Sequence, residues 1–497
     1  MSKNDLDPEL QATGRQLGIL GTLSLLGFLA IFVNIPWEWS MFMDDTLYNS
    51  WMPRIDNVWI TIKEEINAYW KLGRFYPVKY LANLLKWKYL PNDPYIFRYF
   101  NFSVFLISVS LGALAAQRAA SAAGKAAYYP LILFIVGTSV LHKPLLETIS
   151  LNPIGETWVC LFFSLGAYCL FSPAPAVRFI FSRIFFVLAS MSKEPAALIF
   201  FASFAHYIFL AWREPGARKR WLPQAAIDLF LFAFFLSLAL MVMLQATFTR
   251  DTYFNTPWLS YGRDFLYKIA RYSIWTAPFI AAFALAWRQL RNLLLRGEAK
   301  FQSATLFFFV FGLSYLVFMS TQGRVAYQEI PASMAFYCLF GLLTSALFWS
   351  GEINRVTPKW GVALLALFCI SYLVSVTRWE RFVRGIVEPR RAIENLMQTG
   401  GKMTILVPAG EIEGHLEKMA EEINPQAKIL RIDTNNKNLR QQIVGQPFIF
   451  AFPIYMGELE PAKLIWLEIE LGKFGKVVEG HSYRIYLPVN ELEFLQK

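Results

Sequence analysis

Long apolar runs broken by short polar turns dominate the chain as far as residue 376. They fall at 17–35, 99–117, 127–141, 154–171, 177–191, 195–212, 224–247, 273–287, 301–320, 330–350 and 360–376. A helix needs about twenty apolar residues to cross a bilayer, fewer where the bilayer thins or neighbours cover it. The pattern therefore predicts an α-helical polytopic membrane protein with about 11 transmembrane helices. The first run closes on Pro36-Trp37-Glu38-Trp39, an aromatic interface pattern. The polar start, MSKNDLDPELQATGRQ, is mixed in sign and lacks the core and cleavage site of a secretory signal.

A loop over 40–98 separates the first two runs. It contains two amphipathic stretches, Asn57–Trp70 and Val78–Tyr89, rich in aromatics and lysines as expected of helices lying in the interface. Beyond residue 377 the pattern changes. Lys402–Pro408, Ala427–Ile432 and Pro447–Pro453 read as strands, and Glu411–Ile423 and Asn435–Ile443 as helices. Strands alternating with helices predict a soluble C-terminal α/β domain over 378–497, after a membrane domain over 1–377. The tail has no GxGxxG and no Walker loop, which leaves acceptor docking or scaffolding as its expected role.

Composition agrees with this class. The chain is 56% hydrophobic, 17% aromatic and 17% charged, against about 25% charged in an ordinary soluble protein. The net charge of +11 lies wholly in the first part. Residues 1–377 hold 31 Lys/Arg and 20 Asp/Glu, while 378–497 hold 16 of each. No nucleic-acid motif accompanies the basic residues, so nucleic acid is excluded as a partner. Cys160, Cys169, Cys338 and Cys369 all sit in apolar runs, and the four histidines are scattered, so no zinc site is expected.

With the N-terminus inside, the inner loops take Arg118, Lys125, Arg178, the Arg213–Arg220 group, the Arg288–Lys300 group, Arg355 and Lys359, following the positive-inside rule. The unusual polar residues then gather on the outer side. Asp44-Asp45 follow the first span, as a solvated helix cap, a general base, or oxygen ligands for a divalent cation. Arg74, beside Gly73, suits a phosphate because guanidinium binds its oxygens bidentately, and Lys79 lies in the same loop. His142, Lys143, Glu147 and Glu156 crowd one turn, with Glu156 placed to complement a helix N-terminus. Lys193-Glu194 occupy a very short turn, where the ammonium could pair with its neighbour or with a lipid phosphate. Arg324 and Tyr327 precede Pro331, and Arg324 could pair with Glu329 or capture phosphate. Ionisable groups beside the bilayer are costly and mark functional sites.

This layout resembles the GT-C superfamily of membrane glycosyltransferases: the protein O-mannosyltransferase, aminoarabinose transferase and GtrII types. The resemblance rests on Asp44-Asp45 in the first outer loop, the interfacial helices after it, Lys193-Glu194 opening a later span, and Arg324 before Pro331. Asp44-Asp45 followed by Gly73-Arg74 is most similar to the GtrII type. Two features depart from the pattern. The late motif is often Arg-Tyr, whereas Arg324 is followed by Val325, and the tail has no match. The resemblance implies inverting transfer of a sugar from a polyprenyl-phosphate donor to a glycan, lipid or protein acceptor, in a bacterial inner membrane. It makes Asp44 or Asp45 the base, and Lys193, Arg324 and Arg74 the grip on the leaving phosphate. No cofactor is required, though a divalent cation fits the acid pair. A transporter or flippase of a lipid-linked sugar is the alternative, disfavoured by the scarcity of mid-span charges. A structural subunit would leave the loop residues unexplained.

Overall fold

The computed structural model describes residues 57–71, 73–91, 94–122, 129–137, 155–245, 261–269, 287–320 and 329–348. It also describes 404–408, 424–426, 428–432, 449–453, 474–479 and 483–488, with isolated positions elsewhere. The helices and the strands belong to two separate compact units.

Among the described residues of the helical unit, α1 (Val58–Lys71) and α2 (Pro77–Tyr89) lie where the two amphipathic stretches are expected. α3 (Pro94–Ala122) follows, started by a proline whose missing N–H costs nothing at a first helical position. Lys86 Nζ donates to Asn101 Oδ1 (3.2 Å) and Trp87 packs on Phe97 with ring centroids 4.3 Å apart, joining α2 to α3. α4 (Tyr129–Gly137) and α5 (Gly155–Leu170) come next. α6 (Ser182–Ser190) continues from a π-helical turn over Val177–Phe181. α7 (Leu198–Arg213) continues from a 3₁₀ turn over Glu194–Ala197. α8 is Arg218–Gln245 and α9 covers 261–269. α10 (Trp287–Arg296), α11 (Ala299–Ser320) and α12 (Ile330–Phe348) are the last helices of the unit among the described residues.

Among the described residues, five helical stretches are long and apolar enough to cross a membrane: Ile96–Ala122, Glu194–Arg213, Pro215–Val242, Ala299–Ser320 and Ile330–Leu347. They match the expected spans at 99–117, 195–212, 224–247, 301–320 and 330–350, and make the chain an integral membrane protein. α5, α4 and α6 lie on the runs at 154–171, 127–141 and 177–191 but are shorter. The runs at 17–35, 273–287 and 360–376 lie largely outside the described residues. The core is aromatic: Phe163 of α5 stacks on Phe311 of α11 (4.7 Å) and meets Phe307 (6.0 Å), all three fully buried. Cys160, Cys169 and Cys338 are buried free thiols, as their apolar settings predict.

α5 and α7 both begin at one end of the bundle, where α11 finishes and α12 starts. The opposite end carries the last turns of α3, α5 and α7 and the first turn of α11.

Among its described residues, the second unit holds a five-stranded sheet in the order β2-β1-β3-β5-β4. β1 (Thr404–Pro408) pairs in parallel with β2 (Lys428–Ile432) and β3 (Ile449–Pro453). These are the three strands read from sequence, each a residue or two shorter. Parallel neighbours need crossover connections of helical length, and the two helices expected there lie outside the described residues. β4 (Phe474–Glu479) and β5 (Tyr483–Pro488) form an antiparallel pair with an irregularity between Lys476 and Val478. β5 pairs with β3. The sequence reading missed both strands.

Candidate active site

Three stretches far apart in sequence meet where α5 and α7 begin. The first is the α1–α2 turn. α1 stops at Gly73, whose φ of 74° lies in the left-handed region, with its N–H donating to the Trp70 carbonyl (3.0 Å). An L side chain there would strain the backbone. The turn leads into Arg74, whose Nη1 donates to the Tyr76 hydroxyl (3.0 Å).

This turn is bound to the second stretch, the short connection between α6 and α7. Phe75 N–H donates to Glu194 Oε1 (3.1 Å), and Val78 N–H to the Met191 carbonyl (3.2 Å). Glu194 therefore holds the first loop and is not the local partner of Lys193. Lys193 pairs instead with Glu156, on the third stretch, the first turn of α5. Both members are buried. Taking two charges out of water is costly and is offset only by close, well-oriented pairing. The acid also faces the positive end of the α5 dipole.

Gly155 makes this convergence sterically possible. A Cβ there would stand 2.7 Å from the Ser192 carbonyl oxygen and 3.3 Å from Lys79 Cδ. Lys79 Nζ lies 5.1 Å from the Tyr76 ring centroid and 5.9 Å from that of Tyr80, within cation–π range.

Two further residues belong to the cluster and were not singled out from sequence. Glu65 of α1 is buried, and its Oε2 has no hydrogen-bond partner among the described residues. Burial pushes its carboxyl up to about 7, while the nearby Lys79 ammonium pulls the other way. Val58, Thr61 and Ile62 precede it on the same helical face, which is the signal that could have revealed it. Tyr315 of α11 is fully buried within electrostatic reach of Glu156, Tyr76 and Glu194. Its hydroxyl has no hydrogen-bond partner among the described residues.

Five expected site residues, Arg74, Lys79, Glu156, Lys193 and Glu194, are thus brought together. Asp44, Asp45, His142, Lys143, Glu147, Arg324 and Tyr327 lie outside the described residues. Glu329, considered as a partner for Arg324, pairs with Lys268 of α9 (3.4 Å), whose ammonium also donates to the Met319 carbonyl (2.6 Å). Among the described residues, no group of three His, Cys, Asp or Glu is placed to hold a metal ion.

The cluster pairs acids with cations at a helix-rich edge of the bundle. Chemically it can seat an anion against Arg74 and Lys79, beside a carboxyl that titrates near neutrality.

No family model matches the chain, and no curated relative matches it in sequence. Solved structures do match in fold. One is the crystal structure of ArnT from Cupriavidus metallidurans in the apo state, with a TM-score of 0.50 at 11% identity, covering 95% of this chain and 98% of that one. The same protein bound to undecaprenyl phosphate gives a TM-score of 0.49 at 12% identity, covering 94% and 97%. In fold, this chain is similar to ArnT over nearly the whole length of both chains.

Proposed function

We propose that the chain is a glycosyltransferase that moves a sugar from a polyprenyl-phosphate carrier to an acceptor hydroxyl outside the cytoplasm. The observation behind this reading is the convergence of Arg74, Lys79, Glu156, Lys193 and Glu194 at one end of the bundle. The ArnT-like fold and the polyprenyl phosphate bound by that relative support it.

In the proposed reaction, Asp44 or Asp45 takes the acceptor proton as the acceptor oxygen attacks the anomeric carbon. The bond from that carbon to the carrier phosphate breaks, with inversion. Arg74 and Lys79 hold the phosphate and stabilise the charge it gains, an interaction strongest in the transition state. Arg324 is assigned to the same phosphate. Lys193, locked on Glu156, fixes the loop that carries Glu194, and Glu194 in turn fixes the Arg74 turn. Phosphate is a good leaving group, so no separate acid is needed. A divalent cation at Asp44-Asp45 would serve as an alternative grip on the donor.

The test is sugar release from a polyprenyl-phosphate sugar by purified protein supplied with candidate acceptors. Asp44→Asn or Asp45→Asn abolishes release, and Arg74→Gln and Lys79→Gln raise the donor KM. Unchanged turnover in both aspartate variants removes the assigned base. Carrier movement across the bilayer without sugar release would establish the transporter reading instead.

A further inference from the structure

We propose that a cavity between Arg118, Arg178, His206, Trp221 and Lys300 is a binding site for a phosphate-bearing anion, at the bundle end opposite the Arg74–Lys193 cluster. The cavity measures about 380 Å³ and takes its walls from the last turns of α3, α5 and α7 and the first turns of α8 and α11. α5, with 16 residues, separates the two ends by ~24 Å.

The two arginines are held in place by neutral groups. Arg118 lies over the Tyr168 ring, 3.6 Å from its centroid, and donates to the Tyr168 carbonyl (3.1 Å) and hydroxyl (2.5 Å). Arg178 donates through Nε to the Ser172 carbonyl (2.8 Å). Both guanidiniums are half-buried. Among the described residues, no carboxylate lies in ion-pair range of Arg118, Arg178 or Lys300. Glu214 accepts from Trp221 Nε1 (3.1 Å), and Asp228 is paired with Arg183.

Setting orientation in the membrane needs positive charge on loops. It does not need two immobilised guanidiniums around a cavity. Half-buried charges without counter-charge are costly, and an external anion offsets that cost. His206 supplies an independent pointer. It is 4% exposed on the cavity wall, and its Nδ1 has no hydrogen-bond partner among the described residues. Phosphate fits the set because guanidinium forks match its oxygens. Phe171, Leu210 and Trp221 give the remaining wall an apolar face for an organic substituent.

The ligand is therefore a phosphate group, carried by a lipid headgroup or by a soluble compound. Two probes applied to the full chain in phosphatidylcholine nanodiscs separate these sources. One is equilibrium binding of inorganic phosphate. The other is retention of added phosphatidylglycerol, counted by mass spectrometry. The R118Q/R178Q double variant and the cavity-filling Ala122→Trp each weaken binding about tenfold. The exposed control pair R288Q/R291Q leaves it unchanged. Ala122→Trp keeps every charge, so it carries the test if the arginine variant does not fold. A response of phosphate alone identifies a soluble ligand, and a response of lipid alone a headgroup. Absence of saturable binding for both probes, or equal binding in wild type and Ala122→Trp, overturns the proposal. So does an equal loss in the control pair.

Discussion

Arg183–Asp228 and Lys193–Glu156 are both buried ion pairs in the helical unit, yet their settings differ. Arg183 meets Asp228 Oδ1 (2.6 Å), Gln224 Oε1 (2.8 Å), the Phe179 carbonyl (2.8 Å) and the Gln224 carbonyl (3.0 Å). Ser203 donates to the other carboxylate oxygen (2.6 Å). The network ties α6, α7 and α8 together with its hydrogen-bonding capacity largely used. Lys193–Glu156 stands at the end of the bundle, between two helix starts and against the Arg74 turn. A saturated pair between helix sides is a staple. In the proposed reaction, the pair at the bundle end, beside Lys79, positions the loops that carry Glu194 and Arg74.

The strongest way to break that comparison is to remove one member of the staple. Asp228→Ala leaves a largely buried guanidinium, 14% exposed, without its counter-charge and costs about 3 kcal/mol, read as a lower unfolding midpoint in detergent. Transfer per folded molecule is preserved. Loss of transfer at normal stability would erase the distinction.

At the mouth, Lys193→Met strands Glu156 and is destabilising on a similar scale. The double variant Lys193→Met/Glu156→Gln regains most of that stability, because neither charge is left alone. Transfer nonetheless stays down by roughly 10²-fold, since the Glu194 and Arg74 loops lose their anchor. Steady-state kinetics beside thermal melts separates the two readouts, and full recovery of transfer in the double variant would make the pair purely structural.

Gly155→Ala has a smaller effect. Its methyl must displace the Ser192 carbonyl or Lys79, costing about 1–3 kcal/mol and raising the donor KM more than it lowers kcat.

The mildest prediction concerns pH. The folded Glu65 carboxyl titrates near 7 against an ordinary 4.5, so the native state binds this proton more tightly than the unfolded chain does. Its contribution to stability is highest below pH 4.5 and is lost as pH rises toward 7. Glu65→Gln flattens that slope. An anion seated on Lys79 weakens the ammonium's pull on Glu65 and favours its protonation, so donor binding tightens below pH 7. A variant slope equal to that of wild type contradicts the assignment.

Sequence made the apolar spans legible because hydropathy needs no partner. It was less informative about ends: the run read as 224–247 begins at Arg218, since α8 extends into a basic turn that carries no apolar signal. β1 to β3 were visible as continuous apolar strands. β4 and β5 were not, because Phe474–Glu479 mixes Gly and Lys among its valines. In the site, residue types at loop ends pointed to Arg74, Lys79, Glu156, Lys193 and Glu194. Partners did not follow from proximity in sequence. Lys193 has an acid next to it and uses one 37 residues away. Glu65 looked like one more charge beside Lys63 and Glu64, and only the burial of its helical face sets it apart.

The most direct test is an experimental structure with bound polyprenyl phosphate. The expected result is its phosphate within ion-pair reach of Arg74 or Lys79, at the end where α5 and α7 begin. A carrier phosphate found only at the Arg118–Arg178 end would contradict it.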